Sequence, residues 1–171
     1  RDHLAEFPQL RRNSWRENAS IGNVGAPKIL IPRSETSTYM GTQLKDIPKV
    51  KNTAYHITDL DKNIFDGIDR PTTEVVLNTE RIHKHIAIRH PEMLDKTMAD
   101  VKAVIDNPDI VFKGRLDKNE ITFVKHDGKH SMIVPVRLIT PEELSGNPTY
   151  RNSILTYFRK SKARALKDYG T

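Results

Sequence analysis

Residues 79 to 108 read TERIHKHIAIRHPEMLDKTMADVKAVIDNP, and this stretch decides the fold that we expect of the chain. Its first part places three histidines, His83, His85 and His90, and Arg89 within eight residues. Ile82 and Ile86 recur at helical spacing, which predicts a helix with one apolar side. A helix so dense in titratable and cationic groups indicates chemistry on an anionic substrate.

A second helix is expected directly after the first. Pro91 ends the first helix and suits the first turn of the next one. The second helix has an apolar stripe at i, i+4, i+7 and i+11, formed by Leu94, Met98, Val101 and Ile105. On the other side of the stretch, TTEVVLN at 72–78 predicts a strand, and Asn78 or Thr79 is the expected cap of the first helix.

Downstream of the helices, the segments 109–115, 120–126, 130–140 and 152–160 predict a β-meander. Asp127-Gly128 predicts a type I′ turn between its second and third strands. A two-residue turn gives an apolar face that packs on the helices, and a mixed, polar face expected to be open to substrate. Pro135 is unusual in a central strand and predicts a bulge or an irregular edge.

These elements predict an α+β fold in which two N-terminal helices pack on a four-stranded antiparallel β-meander. We assign this fold to residues 72–171, with a short basic helix at the C-terminal end. Residues 1–71 have no clean periodicity apart from a short strand near Ile31. They are expected to form an irregular N-terminal extension or a small subdomain.

The composition restricts the possible functions. Lys and Arg number 28 against 22 Asp and Glu, giving a net charge of +6, which favours polyanionic partners such as RNA, DNA or a membrane surface. The chain has no cysteine, which excludes disulfides, thiolate catalysis and thiolate zinc sites. No apolar run approaches the ~18 residues of a membrane span, and no nucleotide- or cofactor-binding motif occurs. We therefore expect no membrane segment and no cofactor, and the sequence does not indicate a cellular location.

The helix histidines are the first candidate site. His85 follows Ile82 by three residues and precedes Arg89 by four, which favours a general acid or base beside a phosphate-binding cation. His83 and His85 are two residues apart and point in different directions, so a metal site is disfavoured. The alternative interpretation is helix-end histidines that interact favourably with the helix macrodipole.

The hairpin tip is a second candidate, because Lys125, His126 and Lys129 could reach a phosphate backbone. Lys125 and His126 point to opposite faces, so at most one of them serves a given site. The alternative is a solvated turn without a ligand.

The last strand is a third candidate. Ser153, Tyr157 and Arg159 are expected on one face, which suits phosphate binding and base stacking, with Thr156 on the other face. The alternative is an edge strand protected by its charges.

The order of these motifs resembles the BECR group of nucleases, which unites barnase, EndoU, the colicin-type tRNases and RelE-like toxins. It is most similar to the phage and mobile-element branch, known as PBECR. The matching text is HKHIAIRHPE at 83–92, NPD at 107–109, ITFVKH at 121–126 and NSILTYF at 152–158. The likeness covers about residues 72–169.

The resemblance implies a metal-independent endoribonuclease, often a toxin, that cleaves tRNA or mRNA by attack of the RNA 2′-OH. It implies a cognate immunity or antitoxin protein and action in the cytoplasm. Carried onto this sequence, the family's catalytic groups match His85, His90, Lys125 or its neighbour His126, and Ser153 or Thr156. Arg89, His126, Lys129, Tyr157 and Arg159 are then the expected substrate-binding residues, with no metal.

No acidic residue stands in a clear general-base position, so a glutamate base like that of barnase is not expected. The alternative function is a non-catalytic nucleic-acid-binding module, or a virion or structural component with a degenerate nuclease domain.

Overall fold

The computed structural model describes residues 27–170, which form eight strands in one mixed sheet. The order across the sheet is β1-β2-β3-β7-β6-β5-β4, and β8 also pairs with β6. The strands are β1 (Ile29–Ile31), β2 (Thr53–Asp59), β3 (Glu74–Asn78), β4 (Ile110–Phe112), β5 (Glu120–Asp127), β6 (His130–Arg137), β7 (Asn152–Ile154) and β8 (Phe158–Ser161).

The helices lie between these strands and after the last one. A π-helix spans Arg81–Ile86 and runs directly into a short α-helix, and we call the two together the histidine helix. The α-helices are α1 (Arg33–Thr36), α2 (Ala87–Arg89), α3 (Met98–Asp106), α4 (Pro141–Gly146) and α5 (Lys162–Tyr169). Short 3₁₀ turns cover residues 37–39, 44–46, 62–65, 91–93 and 116–118.

The sheet corrects the expected fold. The class is α+β, but two helices on a four-stranded antiparallel meander is wrong, because eight strands pair and the β1–β2 and β3–β7 pairs are parallel. The short strand predicted near Ile31 is present as β1, whereas β2 was not predicted; the irregular extension or small subdomain over residues 1–71 stays a prediction, and its first 26 residues lie outside the described part of the chain. Thr53–Asp59 is buried on both faces, so it lacks the alternation of apolar and polar residues by which a half-buried strand is recognised. Separate folding of residues 72–171 stays a prediction.

Both faces of the sheet are covered. On the first face, α3 and the apolar side of the histidine helix pack on a core that includes Phe123 and Val134. On the second face, α5 buries Ala165 against Val124, Ile133 and Phe158. The expectation that the second face of the meander is open is therefore wrong.

Capping sets the start of α3. Thr97 accepts the Asp100 backbone N–H at 3.2 Å, and Asp100 Oδ2 accepts the Thr97 N–H at 2.8 Å. This capping box starts the helix at Met98, seven residues after the predicted start at Pro91. The helical residues begin at Thr79, so Asn78 holds the predicted cap position, while Thr79 donates its hydroxyl to the Val50 carbonyl at 2.5 Å.

The hairpin between β5 and β6 has the predicted faces but a different turn. Lys125 pairs with Met132 and His126 with Ser131, which confirms the expected alternation. Gly128 and Lys129 are the two turn residues, and of these only Gly128 has a positive φ, at 61°. This pattern fits a type II′ turn with glycine first, so the predicted type I′ turn is wrong.

Pro135 coincides with a bulge in the neighbouring strand. Ile133 pairs with Phe158 and Val136 with Ile154, so three residues on one strand stand opposite two on the other. Pro135 O accepts the Leu155 N–H at 2.9 Å, so the side of Pro135 that lacks an N–H faces this bulge rather than β5.

The bulge reverses the faces of the last strand. Ser153 now shares a face with Phe158, whereas Arg159 lies on the other face with Met132. The predicted common face for Ser153, Tyr157 and Arg159 is therefore wrong.

Candidate functional site

The histidine helix begins where β3 ends and lies beside the bulge in the last strand. Its first six residues form a π-helix, a rare conformation that is frequent at functional sites. We call Arg81, His85, Arg89 and His90, together with Phe158 of β8, the histidine cluster.

His85 lies at the centre of the cluster. It is only 7% exposed, and its buried Nε2 has no hydrogen-bond partner. The His90 ring lies edge-on at 6.0 Å between centroids, and His90 in turn stacks on Phe158 at 5.3 Å. Two imidazoles therefore lie side by side at the end of the helix, and one of them offers an unused nitrogen.

The electrostatics keep His85 neutral. Burial, followed by the charges of Arg81, His90 and Arg89, lowers the pKa of His85 from 6.5 to about 4. The pKa of His90 is also lowered, by burial first and then by Arg89, although Glu92 opposes the shift. At neutral pH, His85 is a free base that can accept a proton.

Arg81 adds a buried cation to the cluster. It is 5% exposed, and burial lowers its pKa. Burial is the only cause of this shift, and within residues 27–170 no ion pair with a carboxylate opposes it. A cation that no carboxylate within residues 27–170 neutralises is suited to an incoming anion.

Thr156 contributes an unpaired hydroxyl from the bulge. The residue is fully buried, and its Oγ1 has no hydrogen-bond partner. It stands two residues before Phe158, whose ring contacts His90. Of the two predicted hydroxyl residues, Ser153 and Thr156, Thr156 is therefore the nearer in sequence to Phe158 of the cluster.

The predicted hairpin cations lie elsewhere. Lys125 Nζ donates to the Asn107 carbonyl at 3.0 Å, at the C-terminal end of α3. His126 Nδ1 lies 2.7 Å from Ser131 Oγ on the opposite face. Lys129 is exposed in the turn. The structure does not bring these three residues to the histidine cluster.

The other predicted residues of the last strand are also dispersed. Ser153 pairs with Arg137, whose guanidinium binds Glu143. Tyr157 is 1% exposed in the core, where burial raises its pKa, so its ring has no open face for a base. Arg159 is exposed on β8, next to Phe158. The catalytic and binding roles assigned to all these residues stay predictions.

Sequence reasoning missed two members of the cluster. Arg81 precedes His85 by four residues and Arg89 by eight, a spacing that places the three on one side of a helix and could have identified it. Phe158 had no comparable signal, because its contact with His90 depends on the bulge.

No family model, curated protein or solved structure matches this chain. Across residues 27–170, no group of three or more His, Asp or Glu side chains is arranged to hold a metal ion. No helix in this part of the chain has the length and apolarity that crossing a bilayer requires.

Proposed function

We propose that the protein is an endoribonuclease that cleaves RNA without a metal ion, and that the histidine cluster is its active site. The observation that carries the proposal is that buried Arg81, which bonds no carboxylate within residues 27–170, lies beside a neutral His85 whose Nε2 has no hydrogen-bond partner. An RNA phosphate would supply the missing anion, and its neighbouring 2′-OH would supply a proton for the base. The resemblance of residues 72–169 to BECR nucleases supports the same chemistry.

In the proposed reaction, His85 takes the proton of the 2′-OH as O2′ bonds to phosphorus. His90, protonated, gives its proton to O5′ as the P–O5′ bond breaks. With 6.0 Å between their centroids the two rings are in edge contact, so a phosphate reaches a nitrogen of each ring only when the rings separate. The products carry a 2′,3′-cyclic phosphate and a 5′-OH.

The cations of the cluster have two roles in this scheme. Arg81, with Arg89 beside it, stabilises the charge on the non-bridging oxygens as the phosphorane forms. In the free protein these charges lower the imidazole pKa values. A bound phosphate offsets that effect, because an opposite charge favours the protonated imidazole, and so makes His90 a competent acid.

Access to His85 requires a local movement, since its Nε2 is buried beneath neighbouring groups. His90 lies at the helix end with a non-helical backbone, at φ −138° and ψ 57°. In the proposal, its ring moves off Phe158 to admit the phosphate.

The proposed substrate is single-stranded or loop RNA, with tRNA and mRNA as the candidates. If the protein is a toxin, a cognate immunity or antitoxin protein is its second proposed partner. The alternative is a nucleic-acid-binding module that does not cleave, and the burial of His85 Nε2 is the observation that favours it.

Cleavage in EDTA separates the two functions. Purified protein is incubated with total tRNA and with ribosomal RNA in EDTA, and the fragment ends are mapped chemically. We expect discrete fragments with 2′,3′-cyclic phosphate ends, lost in His90→Ala and kept in His130→Ala, an exposed histidine on β6. Activity that appears only when Mg²⁺ or Mn²⁺ is restored contradicts the proposal, and RNA binding without any cleavage supports the alternative.

A further inference from the structure

A groove of about 530 Å³ lies between β4 and the C-terminal end of α5, away from the histidine cluster. It is lined by residues 109–114, by His126 of β5 and by Leu166, Tyr169 and Gly170. The proposed reaction uses none of these residues.

Two aromatic rings border the groove. Phe112 and Tyr169 meet edge to face, with 5.4 Å between centroids. The backbone of Gly114 packs directly on the Phe112 ring, since a Cβ at Gly114 would lie 2.3 Å from Phe112 Cζ. The groove therefore has an aromatic wall whose position depends on a glycine.

The charged groups of the lining are already paired. Lys113 Nζ bonds Asp66 at 2.7 Å, and Asp109 accepts the backbone N–H of His126 at 2.6 Å. Such a lining suits a flat, uncharged ligand with polar edges better than a phosphate. A nucleobase has these properties, and stacking on aromatic side chains tolerates any base.

A line of contacts joins the groove to the histidine cluster. Lys160 Nζ lies 5.8 Å from the centre of the Phe158 ring and 5.1 Å from that of Tyr169. Phe158 stacks on His90 at the other end of this line. Exposed Lys162 and Lys167 on α5 provide positive charge for the backbone of a strand that follows it.

We infer that this groove is a nucleobase-binding subsite, which holds a base of a single-stranded RNA whose scissile phosphate lies at the histidine cluster. The inference rests on the proposed function, because it places the flank of the same substrate. A paired base is already stacked within its duplex and cannot enter, so the subsite selects unpaired RNA.

Binding of a non-cleavable strand tests the subsite independently of cleavage. The probe is a fluorescein-labelled 12-nucleotide 2′-O-methyl oligoadenylate, which lacks the attacking hydroxyl, and its affinity is measured by anisotropy. Tyr169→Leu removes the ring, and Gly114→Ala displaces Phe112. The matched control is Tyr39→Leu, because Tyr39 is half-buried against Tyr55 at the opposite end of the sheet.

We expect Tyr169→Leu to weaken binding of the single strand about tenfold, in the range of one base stack, and Gly114→Ala to weaken it less. Neither change should alter binding of the same strand annealed to its complement, and Tyr39→Leu should bind as the wild type. Equal affinity of wild type and Tyr169→Leu for the single strand overturns the inference. If AMP displaces the oligonucleotide completely at a concentration equal to the Kd of the oligonucleotide, the groove is a mononucleotide site, and the inference is also overturned.

Photo-crosslinking gives a readout that does not depend on the folding of a variant. An oligonucleotide carrying 5-iodouridine should crosslink to Tyr169 or Phe112 of the wild type, and crosslinks confined to other residues count against the subsite. If the protein binds through the groove but cleaves no RNA, the proposed function fails and the subsite stands. If it cleaves RNA but Tyr169→Leu changes no binding, the subsite alone fails.

Discussion

Two arginines of this protein, half-buried Arg137 and buried Arg81, differ in what surrounds them. Arg137, at the end of β6, bonds both carboxylate oxygens of Glu143, at 3.1 and 2.7 Å. Arg81 is 5% exposed, and within residues 27–170 it forms no ion pair with a carboxylate. The charges of the Arg137–Glu143 pair are matched, whereas at the histidine cluster His85 Nε2 lacks a hydrogen-bond partner and Arg81 bonds no carboxylate within residues 27–170.

The difference indicates where the fold serves stability and where it serves a ligand. Buried polar groups are almost always hydrogen-bonded, because leaving one unpaired is destabilising by about 1–3 kcal/mol. Two of the unpaired buried atoms, His83 Nε2 and His85 Nε2, lie on the histidine helix beside Arg81, which supports the proposal that an external anion binds there. Mutation, pH and phosphate should therefore affect the histidine cluster and the Arg137–Glu143 pair differently.

The largest expected effect is on catalysis. His90→Ala should lower RNA cleavage by about 10²- to 10⁴-fold, because a positioned acid contributes a factor of that order. Initial rates are measured on a single tRNA in EDTA, with thermal unfolding as a check of folding. The control is His130→Ala, and equal rates for wild type and His90→Ala would remove His90 from the mechanism.

The second effect is on stability at acid pH. His85 has a folded pKa of about 4 against 6.5 unfolded, so the unfolded chain binds its proton first and stability is lost as the pH falls from about 6.5 to about 4. The full difference is about 3 kcal/mol. His85→Leu should remove this loss, so its free energy of unfolding should change less between pH 7 and pH 4 than that of the wild type. Denaturant titrations at the two pH values measure it, and identical changes in both proteins would show that His85 is not buried neutral.

The third effect compares the two arginines directly. Arg137→Met should lower the free energy of unfolding by about 1–2 kcal/mol, because it leaves Glu143 without its bonds. Arg81→Met should leave the free energy unchanged or raise it by about 1–4 kcal/mol, because it removes a buried charge that no carboxylate within residues 27–170 neutralises. Phosphate should raise the Tm of the wild type and of Arg137→Met but not of Arg81→Met. An Arg81→Met protein as unstable as Arg137→Met would mean that Arg81 is structurally bonded.

The smallest effect is the stability that the Arg137–Glu143 pair loses at acid pH. Burial pushes the pKa of Glu143 up, but bonds from Arg137 and Thr140 outweigh it and the net pKa lies below 4.5. This contribution is present above pH 4.5 and is lost as the pH falls through the lowered pKa. Glu143→Gln should therefore flatten the pH dependence below 4.5 and leave the range from 4.5 to 6.5, where His85 titrates, as in the wild type. Unfolding curves at closely spaced pH values would show whether the two ranges separate.

The sequence predicted those parts of the fold that a local period controls. Alternation along β5 and β6 assigned the faces of Phe123 and Val134 correctly, and Ile82 and Ile86 marked the apolar side of the histidine helix. The strand at Thr53–Asp59 was not predicted, because burial on both faces removes the alternation of apolar and polar residues. The capping motif Thr97-x-x-Asp100 marks the start of α3 in the sequence. It was not used for the prediction, because the apolar stripe begins earlier, at Leu94.

The candidate site was less predictable, because long-range contacts assemble it. Helical spacing placed His85 and Arg89 together and could have added Arg81. Pro135 indicated an irregularity, but nothing local showed that the extra residue would lie in the neighbouring strand and turn Phe158 towards His90. Lys125 fits the motif of the resemblance, yet it bonds the Asn107 carbonyl and lies two strands from β8.

The most direct test is an NMR titration of the histidine ring protons, free and with a 2′-deoxy dinucleotide that presents the phosphate but cannot be cleaved. The unpaired cluster predicts a His85 pKa of about 4 in the free protein. It predicts that the pKa values of His85 and His90 rise together when the phosphate binds, while the dinucleotide leaves the ring signals of His130 unchanged. A His85 pKa near 6.5 in the free protein, or pKa values of His85 and His90 that the dinucleotide leaves unchanged, would contradict the assignment of this cluster as the phosphate site.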